Sequence, residues 1–283
     1  MAKIRKALVG DFTLKRLIRS IIFLYCFFAV IGMCFSDRLI FQPPPPSYDA
    51  SDKRILTFLG TDSNTISAIY LPATSNNFTI FFCHGNAEDI GNRIPFFEML
   101  NELGFGVFCF DYRGYGLSTG KPSEKKTYAD SETAFAYLTN NLGVPPKKII
   151  LHGQSLGGGV VVPLAAKNNV AGLILESSFV TAFRVLTRIP ILPFDKFKNI
   201  DKIKKINCPI LIIHGIKDMV IAPWHGKKLF EAANEPKVSY WVKDAGHNNL
   251  ILVAGSEYFK KIMEFTTKIA IGELRTRQGD IAN

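Results

Sequence analysis

The chain is poor in the residues that would commit it to a metal, a disulfide framework or a nucleic acid. It has five cysteines, with no Cys-x-x-Cys pair and no Cys/His pair at ligand spacing, so a metal site is not expected. The odd number argues against a closed disulfide framework. Cys83 and Cys109 fall in strand-like apolar runs and read as core. Only 20% of the residues are charged, against 47% hydrophobic. That balance excludes disorder over most of the 283 residues and supplies apolar surface for one substantial core. Acidic side chains are the minority, 24 against 34 Lys and Arg, for a formal net charge of +10. The basic residues are spread along the chain rather than gathered in a patch, so no nucleic-acid partner is expected. No internal repeat is visible, and the one biased tract is a run of four prolines.

Six of the basic residues, Lys3, Arg5, Lys6, Lys15, Arg16 and Arg19, precede the most apolar segment, which points to a membrane surface. Ile21 to Phe35 is an uninterrupted apolar run, long enough as a helix for roughly 22 Å of a bilayer core about 30 Å thick. Counted from Leu17, with Arg19 snorkelling to the headgroups, it approaches a full span. The expectation is an uncleaved signal anchor over residues 1–36. A cleaved signal peptide and a lipoprotein signal ending at an acylated Cys34 are the alternatives, although Met33 stands where a lipobox needs a small residue. Each reading holds the amino end in the cytoplasm and places the following domain outside it, in the periplasm of a bacterium. Residues 37–53, with "FQPPPPSYDAS", read as a stiff proline-rich spacer.

From Arg54 onward, β-rich runs alternate with amphipathic ones. "ILTFLG" and "ISAIYL" form an expected antiparallel pair across "TDSNT". "FTIFFCHG", "GVFCFDYRG", "KIILHGQS", "GLILESS", "PILIIHGIKD" and "VSYWVKDA" are apolar almost throughout, as strands covered on both faces must be. Helical patterns separate them, and one has Asp130 and Glu132 placed for a helix amino end. This alternation predicts an α/β fold: a mostly parallel sheet with helices on both faces over 54–272, followed by a frayed tail at 273–283. Ligands on such sheets bind at the carboxyl ends of the strands.

Glycine-rich phosphate loops are also missing. "YGLSTGKP" has Tyr115 where a P-loop needs glycine and Pro122 where it needs a hydroxyl, and "GYGLST" has Thr119 where a dinucleotide fingerprint needs its third glycine. No cofactor is expected. What remains is "HGQSLGGG": Gly153, Ser155 and Gly157 give G-x-S-x-G, a weak signal alone, but located where the strand "KKIIL" meets the helix "GGVVVPLAA". A sharp turn there would project Ser155 from the sheet. A serine hydroxyl needs a base, and the base an acid to orient it. His84, His152 and His214 each stand in an His-Gly pair at a strand end and read as packed rings, and His225 as solvated at a surface helix. His247, in "KDAGHNNL" after the last strand, is the candidate base. Asp218, after the penultimate strand, is the candidate acid, with Glu176 as its rival. Asp111 reads as a carboxylate bonding turn amides, and Glu88 and Asp89 as the start of a helix. The backbone amides of Leu156 and Asn86 are the candidate oxyanion donors.

The series "HGNAEDIGN", "FDYRGYGLSTGKPSE", "LHGQSLGGG", "LESSF", "CPILIIHGIKDMVIAPWHGKKLFEAA" and "AGHNNL" resembles the Bem46-like branch of the α/β-hydrolase family, the type of the alpha/beta hydrolase domain-containing proteins 13 and 17. The resemblance spans about residues 54–270. It implies a sheet of about eight strands with a short cap, Ser155 as nucleophile, Asp218 as acid, His247 as base, and Asn86 and Leu156 at the oxyanion. The cysteine-rich amino terminus of members resembling the animal depalmitoylases is missing here. Residues 177–207 leave room for a short cap, and Phe179, Phe183 and "VLTRIPILPF" favour a small acyl-containing substrate. The expected activity is hydrolysis of acyl esters or thioesters. The alternatives are a peptidase or amidase using the same three residues and a non-catalytic tethered binding module.

Overall fold

The structure is a computed structural model and describes residues 13–274. It divides into two units, one ending at Ile40 and the other beginning at Phe41.

Among the described residues the first unit holds one helix, α1 (Leu14–Ile40), 27 residues long with a mean hydropathy of 2.2 over its most apolar window. It extends past both ends of the apolar run that the sequence marks. Between Leu14 and Ile40 the only poor helix former of consequence is Gly32, and the first proline is Pro43. The proposed spacer therefore divides. Residues 37–40 finish the helix, and from Phe41 the chain packs into the second unit: Phe41 is buried with its ring against Tyr115 and Phe197. The Tyr48 hydroxyl donates to Asp111 Oδ2 at 2.5 Å, and Ser47 is bonded to Asp89 through both its amide and its hydroxyl.

The second unit is built on eight strands: β1 (Ile55–Leu59), β2 (Thr65–Leu71), β3 (Thr79–Cys83), β4 (Gly106–Phe110), β5 (Ile149–Gln154), β6 (Gly172–Glu176), β7 (Ile210–Gly215) and β8 (Lys237–Val242). Their order in the sheet is β1-β2-β4-β3-β5-β6-β7-β8. The first two are joined as the antiparallel pair expected from the sequence, and β2 also runs antiparallel to β4. All later neighbours are parallel. Every residue of β3 to β7 is buried, so these strands carry no polar alternation.

The crossovers include helices α2 (Ile90–Glu102), α3 (Glu124–Ala136), α4 (Leu156–Lys167) and α5 (Trp224–Ala232), with α6 (Leu250–Ala254) and α7 (Ser256–Ala270) after the last strand; the expected tail lies, from residue 275 on, outside the described residues. In α7, Tyr258, Ile262 and Phe265 recur at helical spacing and are buried, while Lys261 pairs with Glu257 and Glu264 on the outer face. Asp89 caps α2: its side chain accepts from the Asn92 amide, and the Asn92 side chain reaches back to the Asp89 amide. Asp130 departs from its expected place at a helix amino end. Ser123 caps α3, and Asp130 lies buried in a fork from the Arg113 guanidinium, with Nε to Oδ2 at 2.8 Å.

Candidate active site

Ser155 stands between β5 and α4 with φ 51° and ψ −114°. That left-handed backbone is strained for a residue with a side chain, and it persists because its neighbours hold it: the Ser155 amide donates to the Glu176 carbonyl at 2.8 Å, and the Gly158 amide to the Ser155 carbonyl at 3.1 Å. The turn also needs two bare positions. A Cβ on Gly157 would lie 1.9 Å from the Cys83 carbonyl oxygen, and one on Gly153 would lie 2.5 Å from the Gly157 carbonyl oxygen. Glycine at these two places allows the helix to start against β3 and β5.

The structure brings Ser155, Asp218 and His247 together. Asp218 follows β7, buried, and its Oδ1 accepts the amides of Val220 at 2.9 Å and Ile221 at 2.7 Å. Its Oδ2 has His214 Nε2 3.4 Å away and faces the loop after β8, where His247 Nδ1 donates to it at 2.7 Å. With that proton on Nδ1, His247 Nε2 accepts from the Ser155 hydroxyl at 3.0 Å. Burial by itself would raise the Asp218 carboxyl, but hydrogen bonds from His214 and His247, the His247 charge and the Ile221 amide outweigh it and hold the group well below the usual carboxylate range. Asp218 is thus a fixed anion behind the imidazole.

Leu156 is the first residue of α4, so its amide has no acceptor within the helix. The loop between β3 and α2 lies against the serine: a Cβ on Gly85 would stand 3.6 Å from Ser155 Cβ. Asn86 follows in that loop, and its side-chain oxygen accepts from the Tyr115 hydroxyl at 2.6 Å and from the Gln42 amide at 3.0 Å. Nothing in the sequence singles out Tyr115 or Gln42, because both act through a contact between segments far apart in the chain.

Glu176, the rival acid, is bound elsewhere. It is buried and accepts from Tyr258 at 2.5 Å and from Gln154 at 3.0 Å, with His152 Nε2 3.3 Å away. Burial opposes its charge, but the His152 and Tyr258 hydrogen bonds and the nearby Arg93 charge overcome that and lower its pKa. Asp111 accepts the Ile90 amide at 3.1 Å and Glu88 the Gly85 amide at 2.5 Å. His84 and His214 are buried rings bonded to the carbonyls of Gly85 and Ile221. His225 corrects the sequence reading: it is buried, stacked on Trp224 at 3.7 Å between ring centroids, and its Nδ1 accepts the Val180 amide at 3.2 Å. The helical pattern showed only the position of the residue on α5. The face is covered by the cap, whose path the pattern does not report.

That cap, from 177 to 207, contains only short helical turns. Asp195 ties its base by accepting from the Thr181 hydroxyl at 2.6 Å and the Phe183 amide at 2.9 Å. Phe179 packs its ring against Phe197, and Phe183 against Phe194. Beside His247, a cavity of about 310 Å³ is lined by Glu88, Arg93, Gln154, Glu176 and Asn248 among others. Arg93 is bonded there to both Glu88 and Gln154. Among the described residues, no group of three or more His, Cys, Asp or Glu is placed to hold a metal ion.

A mostly parallel eight-stranded sheet with a serine on the strained turn between β5 and α4 defines an α/β-hydrolase fold. Solved structures agree on that fold. The chain superposes on a Pyrococcus furiosus esterase with a TM-score of 0.68 at 18% identity, covering 82% of this chain and 98% of that one. It superposes on the monoacylglycerol lipase of Paleococcus ferrophilus with a TM-score of 0.59 at 21% identity, covering 72% and 99%. Within the fold, the chain belongs to the alpha/beta hydrolase domain-containing protein 17 family. It is 40% identical over 263 residues to protein 17B of Xenopus tropicalis, covering 82% of this chain and 91% of the relative. Human protein 17B matches at 35% identity with the same coverage. The family model described as serine aminopeptidase, S33, matches residues 74–193. The chain is a hydrolase.

Proposed function

We propose that the protein is a membrane-anchored serine hydrolase that cleaves acyl esters or thioesters through an acyl-enzyme. The observation that carries this reading is the continuous hydrogen-bonded path from Asp218 through His247 to the Ser155 hydroxyl, at 2.7 Å and 3.0 Å. In the first half-reaction His247 Nε2 takes the hydroxyl proton as Ser155 Oγ attacks the acyl carbonyl carbon. The carbonyl oxygen becomes an oxyanion facing the amides of Leu156 and Asn86, each worth on the order of 3 kcal/mol of barrier. His247 then gives its proton to the departing oxygen or sulfur. In the second half-reaction a water loses a proton to His247, attacks the acyl-enzyme, and releases the carboxylic acid and free Ser155. A fluorophosphonate probe is expected to label the wild-type chain and not Ser155→Ala; equal labelling of the two would refute the reading.

The match to a serine aminopeptidase model favours a second reading, hydrolysis of amides with the same three residues. Such a site needs a carboxylate to hold a free ammonium. Glu88 and Glu176 line the cavity beside His247, but Glu88 is paired with Arg93 at 2.7 Å and Glu176 is bonded to Tyr258 and Gln154. Both carboxylates being engaged favours the ester reading. Matched ester, thioester and amide substrates separate the two, with the amide expected to turn over slowest.

The anchor is α1. Its 27 residues reach about 40 Å at the helical rise, enough for a bilayer core with tilt to spare. The basic residues at its amino end favour that end in the cytoplasm and the domain on the other side. Protease treatment of sealed vesicles carrying the full chain tests this orientation.

A further inference from the structure

Among the described residues after position 40, twelve large apolar side chains are exposed, and eight of them stand on three segments: the cap, the loop that carries Asp218 and the segment that follows His247. In the cap, Leu186 is 91% exposed and Ile189 68%. Beside Asp218, Met219 is 95% exposed and Val220 55%. On α6, just after His247, Leu252 is 84% exposed and Val253 42%. Scattered singly, such residues would need no explanation, but two-thirds of the set falling on three segments bonded to Ser155, Asp218 and His247 does.

The three segments are fixed to one another. The His247–Asp218 bond joins the second to the third, and the cap is held to α5 by the Val180 amide on His225 and by the Arg184 guanidinium 5.1 Å above the Trp224 ring. The cap is also basic. Residues 183–198 carry Arg184, Arg188, Lys196 and Lys198 against one acid, Asp195, whose oxygens accept from Thr181 and Phe183. A rim of apolar tips with cations and a tryptophan among them fits a lipid interface, where the tips enter the acyl boundary and the cations meet anionic headgroups. A second copy of the chain fits less well, because a two-fold contact would set this basic rim against itself.

We propose that this rim docks on an anionic phospholipid bilayer, so that the Ser155 mouth opens onto the membrane and takes its acyl chains from it. What the docking delivers rests on the hydrolase reading above, whereas the docking itself is measured without turnover. The full chain is reconstituted into vesicles of phosphatidylcholine and phosphatidylserine with brominated acyl chains, and tryptophan quenching is compared between Met219→Trp, Leu252→Trp and Ile271→Trp, each against the unsubstituted chain. Ile271 is equally apolar and 67% exposed, but follows α7 at the opposite end of the sheet. The added tryptophans at 219 and 252 are expected to be quenched severalfold more than the one at 271, and less when phosphatidylserine is omitted. Equal quenching at all three positions overturns the proposal. So does a pair at 219 and 252 that is shielded from aqueous acrylamide yet untouched by the brominated lipid, the signature of a protein contact. Fluorophosphonate labelling of the same vesicles reports separately on the hydrolase reading.

Discussion

The Tyr258 hydroxyl on α7 donates to Glu176 Oε2 at the end of β6 at 2.5 Å, across 82 positions of the chain. That bond, with those from Gln154 and His152, occupies the carboxylate that by sequence position alone rivals Asp218. The two acids therefore differ in what their loss does. Glu176→Gln leaves a buried network half satisfied, at a cost of about 2–3 kcal/mol, read as a lowered Tm, with turnover per folded molecule changed less than tenfold. Asp218→Asn leaves the fold but loses the anion behind the imidazole, and kcat is expected to fall by about 10⁴-fold. Thermal unfolding and active-site-titrated kinetics on both variants decide the assignment, and a collapse of kcat in Glu176→Gln at unchanged Tm would reverse it.

Tyr115 holds the candidate oxyanion loop from the side, since its hydroxyl donates to Asn86 Oδ1 at 2.6 Å and accepts the Gln42 amide at 3.0 Å. Tyr115→Phe keeps the ring packed against Phe41 and removes only those bonds. Drift of the Asn86 amide weakens the oxyanion more than substrate binding, so kcat is expected to drop about tenfold with KM within a factor of two. A rise in KM at constant kcat would instead place Tyr115 in substrate binding.

The sheet was legible because β3 to β7 are apolar throughout and separated by helical periods. The serine turn was legible because its glycines are forced by the approach of Cys83 and Gly157 carbonyls. Residues that act across the chain were not legible. His225 looks like a surface residue on α5 until the cap covers it, and Asp130 looks like a helix-end acid until Arg113 reaches it. The prolines after Phe41 read as a spacer because composition reports stiffness and not what the stiff segment lies against: Gln42, Ser47 and Tyr48 bond to Asn86, Asp89 and Asp111.

Ser155 has φ 51°, and the strain follows from its side chain. Ser155→Gly is expected to abolish labelling by a fluorophosphonate and yet to stabilise the fold by about 1 kcal/mol relative to Ser155→Ala, because glycine adopts that backbone without penalty. Denaturant midpoints for the two inactive variants measure the difference. Equal midpoints would mean that the turn is not strained by a Cβ.

His225 gives the chain a pH dependence separate from catalysis. Burial, then the nearby His214 and Arg184 charges, bring its pKa down to about 4. Folded, the ring stays neutral and accepts the Val180 amide; unfolded, it takes up a proton near its ordinary value of about 6.5. Between those two values the unfolded state binds more protons, so stability is fully present above about pH 6.5 and declines as the pH falls towards 4, by on the order of 3 kcal/mol. His225→Asn keeps an acceptor for the Val180 amide but does not titrate. Its stability is expected to start below wild type at pH 8, through lost stacking on Trp224, and to fall less steeply below pH 6.5, so that the two curves approach each other. Unfolding of the full chain in detergent from pH 8 to 4.5 tests this, and parallel curves would show that His225 does not supply the acid-side slope.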